Sequence, residues 1–137
     1  MVMKKNMFNL NEDVNSRDTI LFGEGFNSKE YPGGVRHLNK LSLENLKKLI
    51  ENRFIDLEEC QNESPSTEEI LHFMEKYPDY TTHGYAVSPF REDYRVTLEG
   101  VEKDIPAESK EELEDFVKLF QLADEFIIDS YMYCWFD

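Results

Sequence analysis

The chain has no apolar run approaching the ~20 residues that a membrane-spanning helix needs. Residues 1–10 carry Lys4 and Lys5 but no stretch resembling a secretory leader. These absences predict a chain that is not exported, cytoplasmic and without membrane contact. Cysteine is scarce. Cys60 and Cys134 lie far apart and neither belongs to a CxxC pair, so both are expected as reduced thiols. Histidine is nearly as rare. His37, His72 and His83 show no metal-ligand spacing, and zinc is not expected. A calcium loop starting at Asn9 fits at Asn11 and Asp13, then fails with Val14 where glycine should be and Ile20 where glutamate should be. Gly23-x-Gly25 lacks its third glycine, because Ser28 stands there, and no GxxxxGK[ST] exists. There is no GxSxG, and Cys60 stands among Glu58, Glu59 and Glu63, poor surroundings for a nucleophilic thiolate. No metal, no cofactor and no catalytic residue is assigned.

Positive charge is the other shortage. Fifteen Lys/Arg face 29 Asp/Glu, for a net charge of −14. The imbalance is local: residues 1–50 hold eight cations and six acids, whereas 51–137 hold seven and 23. Such a field repels phosphate backbones and favours cationic companions. A basic protein is therefore the expected partner, and nucleic acid is not.

What is present predicts a single α+β domain over residues 19–137 behind a loosely ordered tail, 1–18. Thr19–Phe22 reads as a short strand. Gly23 to Lys40 reads as an irregular segment, with a strong turn signal at Tyr31-Pro32-Gly33-Gly34. Three helices follow the 3.6-residue period. The first is capped by Ser42, with Leu43, Leu46, Leu49 and Ile50 on one face. The second opens on a capping box of Ser66 and Glu69, buries Ile70, Phe73, Met74 and Tyr77, and stops at Pro78. The third repeats the box with Ser109 and Glu112 and a stripe of Leu113, Phe116, Val117 and Phe120. Phe54–Leu57 reads as a further helical turn. Strands are expected over 83–88 and 94–99, and again over 125–129 and 131–136. In 94–99, Tyr94, Val96 and Leu98 alternate with Arg95, Thr97 and Glu99, which predicts one buried and one wet sheet face. The expected fold is an antiparallel sheet of two hairpins with about three helices packed on one face.

Seven residues are candidate contacts to a ligand or partner. Lys29, Tyr31, Arg36 and His37 lie in the one cationic, aromatic-bearing segment of an acidic chain. His83, Tyr85 and Arg95 lie on the first hairpin. The leading functional expectation is a non-catalytic interaction or regulatory module of the inhibitor, immunity or mimic type, binding a basic partner. One alternative is a small enzyme whose active site follows no motif and sits in a sheet–helix cleft. Another is a degenerate winged-helix nucleic-acid binder, since 42–100 runs helix, helix, hairpin. Its would-be recognition helix carries Glu68, Glu69 and Glu75 against Lys76 alone.

Overall fold

The computed structural model describes residues 9–23 and 34–137. The elements are α1 (Val14–Phe22), β1 (Val35–Leu41), α2 (Leu43–Glu51), α3 (Thr67–Lys76), β2 (Thr81–Val87), β3 (Val96–Lys103), α4 (Lys110–Phe120), β4 (Glu125–Ile128) and β5 (Met132–Trp135). They form an α+β fold with one five-stranded antiparallel sheet, ordered β1-β2-β3-β5-β4. Both expected hairpins are present, as β2–β3 and β4–β5. The fifth strand, β1, and the fourth helix, α1, correct the expectation of two hairpins and about three helices.

Both corrections have physical causes. Thr19–Phe22 is the end of a helix, so residues 14–18 of the expected loose tail are helical too. Asp13 caps α1, accepting from the Ser16 N–H at 3.3 Å, and Gly23 closes it at φ 92°. The fully buried residues of α1 are Arg17 and Asp18, at 0% and 1% exposure, so no apolar stripe announces this helix. Arg17 Nε lies 2.9 Å from Asp18 Oδ1, Nη1 donates to the Val87 carbonyl at 3.0 Å, and the guanidinium sits 4.7 Å from the Tyr94 ring centroid. Strand β1 lies inside the segment expected to be irregular. Its buried positions, Leu38 and Leu41, are three residues apart because a bulge interrupts pairing between them, with Lys40 at φ 52°. A period of two thus reads as three.

The other helices follow the sequence closely. Ser42 Oγ accepts from Asn45 N–H, and Ser66 and Glu69 complete their box in both directions. Phe54–Leu57 forms turns rather than a helix, with Phe54 and Ile55 buried in the core. One core joins Leu38 and Leu41 of β1, Leu46 and Leu49 of α2, Ile70, Phe73 and Met74 of α3, Phe116 and Phe120 of α4, and the inward residues of β2, β3 and β5. Phe73 makes edge contacts with Tyr80 and Phe120 at 4.8 and 5.1 Å. Val117, expected in the α4 stripe, is partly exposed instead.

Strand β3 departs furthest from its expected alternation. Thr97 and Glu99 are buried along with Val96 and Leu98, so the second face is not simply wet. Lys103, near the end of β3, is buried against α4. Its ammonium pairs with Glu112, and the Tyr80 hydroxyl donates to the same carboxylate at 2.8 Å. The other Glu112 oxygen accepts from the Glu108 N–H at 2.9 Å. Glu112 therefore does not return the reciprocal bond to Ser109, and only the Ser109 half of that capping box forms. Burial raises the Glu112 pKa, but the Glu108 N–H, Lys103 and Tyr80 together hold it below the ordinary 4.5.

Glu112→Gln removes the nearer of the two counter-charges of a buried ammonium, with Glu108 remaining at 3.6 Å, and is expected to cost about 3 kcal/mol in urea unfolding. Replacing both partners, Lys103→Met with Glu112→Leu, should recover much of that loss. The stabilisation from a depressed carboxylate is complete above its unfolded pKa, about 4.3, and is lost as pH falls through the lower folded value. The acid limb of the wild-type stability curve should be correspondingly steeper than that of Glu112→Gln.

Candidate functional site

The strand register collects most of the candidate residues on one sheet face. His37 pairs with Tyr85, and Tyr85 pairs with Thr97, so the three form a row. A bulge between the β2 and β3 registers then sets Glu99 beside Gly100, which pairs with His83. Trp135 and Tyr133 of β5 complete this face, with Tyr133 paired to Glu102. Gly100 is required here, because a Cβ would meet the Cys134 carbonyl oxygen at 2.0 Å and His83 Nε2 at 2.8 Å.

Of the candidates on this face, His83, Tyr85 and Arg95 are already engaged within the chain, whereas His37 is exposed. Arg95 Nη2 donates to the Tyr85 hydroxyl at 2.8 Å, and Tyr85 donates to Gln61 Oε1 at 3.0 Å. Arg95 Nε donates to Thr97 Oγ1 at 2.9 Å, and that hydroxyl donates to Glu59 Oε2 at 3.1 Å. Asp93 lies 3.0 Å from Arg95 Nη1. His83 is buried, stacks on Tyr133 at 5.2 Å and donates from Nε2 to the Cys134 carbonyl at 3.0 Å. That bond fixes the tautomer. Nδ1 then lies 3.1 Å from Glu102 Oε1 without the alignment of a hydrogen bond. Lys40 holds the other Glu102 oxygen at 2.7 Å. Arg36 departs from the group, since its guanidinium sits 5.1 Å from the Phe22 ring centroid on the opposite side of the strand. Lys29 and Tyr31 lie outside the described residues.

Glu99 is the residue the sequence reading missed. It is nearly buried on the bulge, and burial raises its carboxyl above the ordinary range while the Trp135 indole and His37 act against that. The available signal was a glutamate in the middle of a strand with an adjacent glycine, which often marks a bulge.

A second feature arises from two stretches without any Lys or Arg. Residues 54–75 contain seven acids and no cation, and residues 119–137 contain four acids and no cation. Folding brings them together at one corner. Asn62 Nδ2 donates to the Asp137 carbonyl, and the Asp137 N–H donates to Asp124 Oδ2 at 2.7 Å. Glu63, Asp124, Glu125 and Asp137, at or next to these contacts, are exposed, as is Glu58 four residues before Asn62. Among the described residues few cations reach into these stretches from elsewhere: Arg95 approaches Glu59 at 3.5 Å, and Lys47 approaches Glu75 at 3.4 Å. Other cations are spent as internal links. Lys76 lies 2.9 Å from both Glu111 and Asp115, and Arg91 lies 2.8 Å from Asp93.

Two surface cavities are lined by described residues. One, of about 440 Å³, lies between α3 and α4 along His72, Lys76, Tyr77 and Asp115. The other, of about 350 Å³, lies beside Asn15, Thr19 and Asn52. Neither includes His83, Tyr85 or Arg95. Among the described residues no group of His, Cys, Asp and Glu is arranged to hold a metal ion, and no helix is long and apolar enough to cross a membrane. No protein-family model, curated protein or solved structure matches this chain.

Burial lowers the His83 pKa below the ordinary 6.5, outweighing the opposing pull of Glu102. The ring is thus neutral at pH 7. The unfolded chain takes up this proton first, so stability present above pH 6.5 declines as the pH falls through the folded value. Imidazole ¹⁵N shifts should show an Nε2–H tautomer for His83 and a midpoint under 6.5. A midpoint above 6.5 would mean that Glu102 governs the ring. Of the two free thiols, exposed Cys60 should react with a disulfide reagent within minutes, whereas Cys134, buried and pushed up to about 12, should react only on unfolding.

Proposed function

We propose that this chain is a non-catalytic interaction module, of the inhibitor, immunity or mimic type, that binds a basic protein through its acidic corner. The observation that carries this reading is the meeting of two cation-free stretches, 54–75 and 119–137, through the Asn62–Asp137–Asp124 hydrogen bonds. A dense field of one sign steers a cationic partner and raises its association rate. The engagement of Tyr85 and Arg95 with Gln61, Thr97 and Asp93 supports the same reading, because it removes two candidates for anion contact.

Glu99 favours a second reading, a small enzyme without a sequence motif. A buried carboxyl on a bulge, beside His37 and Trp135, has the raised pKa that acid–base chemistry uses. The two readings separate on Glu99→Gln, which leaves partner binding intact under the first and abolishes activity under the second. The winged-helix alternative gains no support. The order α2, α3, β2, β3 does occur, but β2 and β3 are inner strands of the sheet, flanked by β1 and β5, so their hairpin is no free wing.

The test is affinity capture from the source-cell lysate, washed at rising salt, with the wild-type chain and the variant Glu58→Lys, Glu63→Lys, Asp124→Lys. The wild type should retain one or more basic proteins near 0.1 M salt and release them toward 1 M, as screening shortens from about 10 Å to about 3 Å. The variant should retain none of them. Retention that ignores ionic strength, or that survives the charge reversals, contradicts the proposal.

A further inference from the structure

The two edges of the sheet are unlike. At β1 the edge carries a bulge at Asn39–Lys40 and the charged residues Arg36 and Lys40, features that discourage pairing with another strand. β4 has no bulge and no cation, although it is only four residues long and opens on Glu125. β4 is the last strand in the sheet order, and its outer side has no strand partner among the described residues. Phe126 and Ile128 remain 36% and 40% exposed, and Leu122, just before the strand, is 65% exposed.

The two faces of this edge ask for different chemistry. Phe126 stacks on Phe116 of α4 at 5.4 Å and pairs with Cys134, while Ile128 pairs with Met132. Both therefore lie on the helix side of the sheet. Glu125 and Ile127 pair with Trp135 and Tyr133 on the other side, and Glu125 continues the acidic corner. A strand added here alternates its side chains between the two faces. One set would rest on Phe126 and Ile128, and the other would stand beside Glu125, with Asp124 and Asp129 at either end.

We propose that the β4 edge is a strand-addition site for an extended segment in which apolar and basic residues alternate. The proposal rests on the reading that the corner receives a basic partner, and it specifies how that partner is held. Main-chain hydrogen bonds would supply affinity, and the alternating side chains would supply selectivity. A second copy of this chain is disfavoured as the occupant. In the antiparallel register centred on Ile127, Glu125 of one copy would face Asp129 of the other, and like charges directly opposite destabilise a pair. Each copy also carries a net charge of −14.

The test uses the full chain and two acetylated, amidated peptides of equal length and charge. One alternates lysine with valine, and the other alternates lysine with proline, which cannot donate to a strand ladder. At low salt the valine peptide should bind at least about tenfold more tightly, a difference of about 1.4 kcal/mol, and slow hydrogen exchange in β4. Phe126→Lys with Ile128→Lys should abolish that preference while leaving exchange in β2 and β3 unchanged. Equal binding of both peptides overturns strand addition and leaves the acidic-surface reading standing. Absence of binding by either peptide overturns the proposal together with the reading beneath it. A concentration-dependent dimer that Phe126→Lys with Ile128→Lys dissociates would assign the edge to a second copy and overturn the occupant proposed here.

Discussion

Scarcity of positive charge shapes this molecule. With 15 Lys/Arg against 29 Asp/Glu, each cation placed between two elements offsets repulsion that would otherwise hold them apart. Lys40 ties β1 to Glu102 of β3, Lys76 ties α3 to α4, and Lys103 ties β3 to Glu112 of α4. Exposed pairs of this kind contribute roughly 0–1 kcal/mol each, and the buried Lys103–Glu112 pair matters mainly through the cost of losing one partner. Their collective effect is one of placement. Among the described residues Lys40, Lys76 and Lys103 are thus held away from the corner where Asn62, Asp124 and Asp137 meet.

Much of the fold was legible because its causes are local. Ser42, Ser66 and Ser109 mark three helix starts by capping chemistry, and the apolar stripes behind them identify the faces that enter the core. The two hairpins follow from β-forming runs broken by turns. What was not legible depends on tertiary partners. α1 buries Arg17 and Asp18, so its inner face looks polar until Val87 and Tyr94 are brought to it. β1 hides behind a bulge that alters its apparent period. The Glu112 box is half-formed because Lys103 and Tyr80, 9 and 32 residues away in the chain, compete for the same carboxylate.

The candidate site was legible by residue type more than by role. His37, His83, Tyr85 and Arg95 do share a sheet face, yet Tyr85, Arg95 and His83 are committed to Gln61, Asp93, Glu102 and the Cys134 carbonyl. Arg36 lies against Phe22 instead. The acidic corner was foreshadowed by the lopsided charge of residues 51–137. Its location could not be, because it depends on Asn62 meeting Asp137 and on Asp137 meeting Asp124, contacts made only in the folded chain. A single sequence records how much charge there is; the sheet order decides where it is presented.

The most direct measurement is a backbone-amide NMR titration of the intact chain with hexalysine at low ionic strength. The account predicts perturbations centred on Glu58–Glu63, Asp124–Glu125 and Asp137 that collapse when salt is added. Perturbations spread evenly over every exposed acid, with the outer faces of α3 and α4 responding as strongly as the corner, would contradict it.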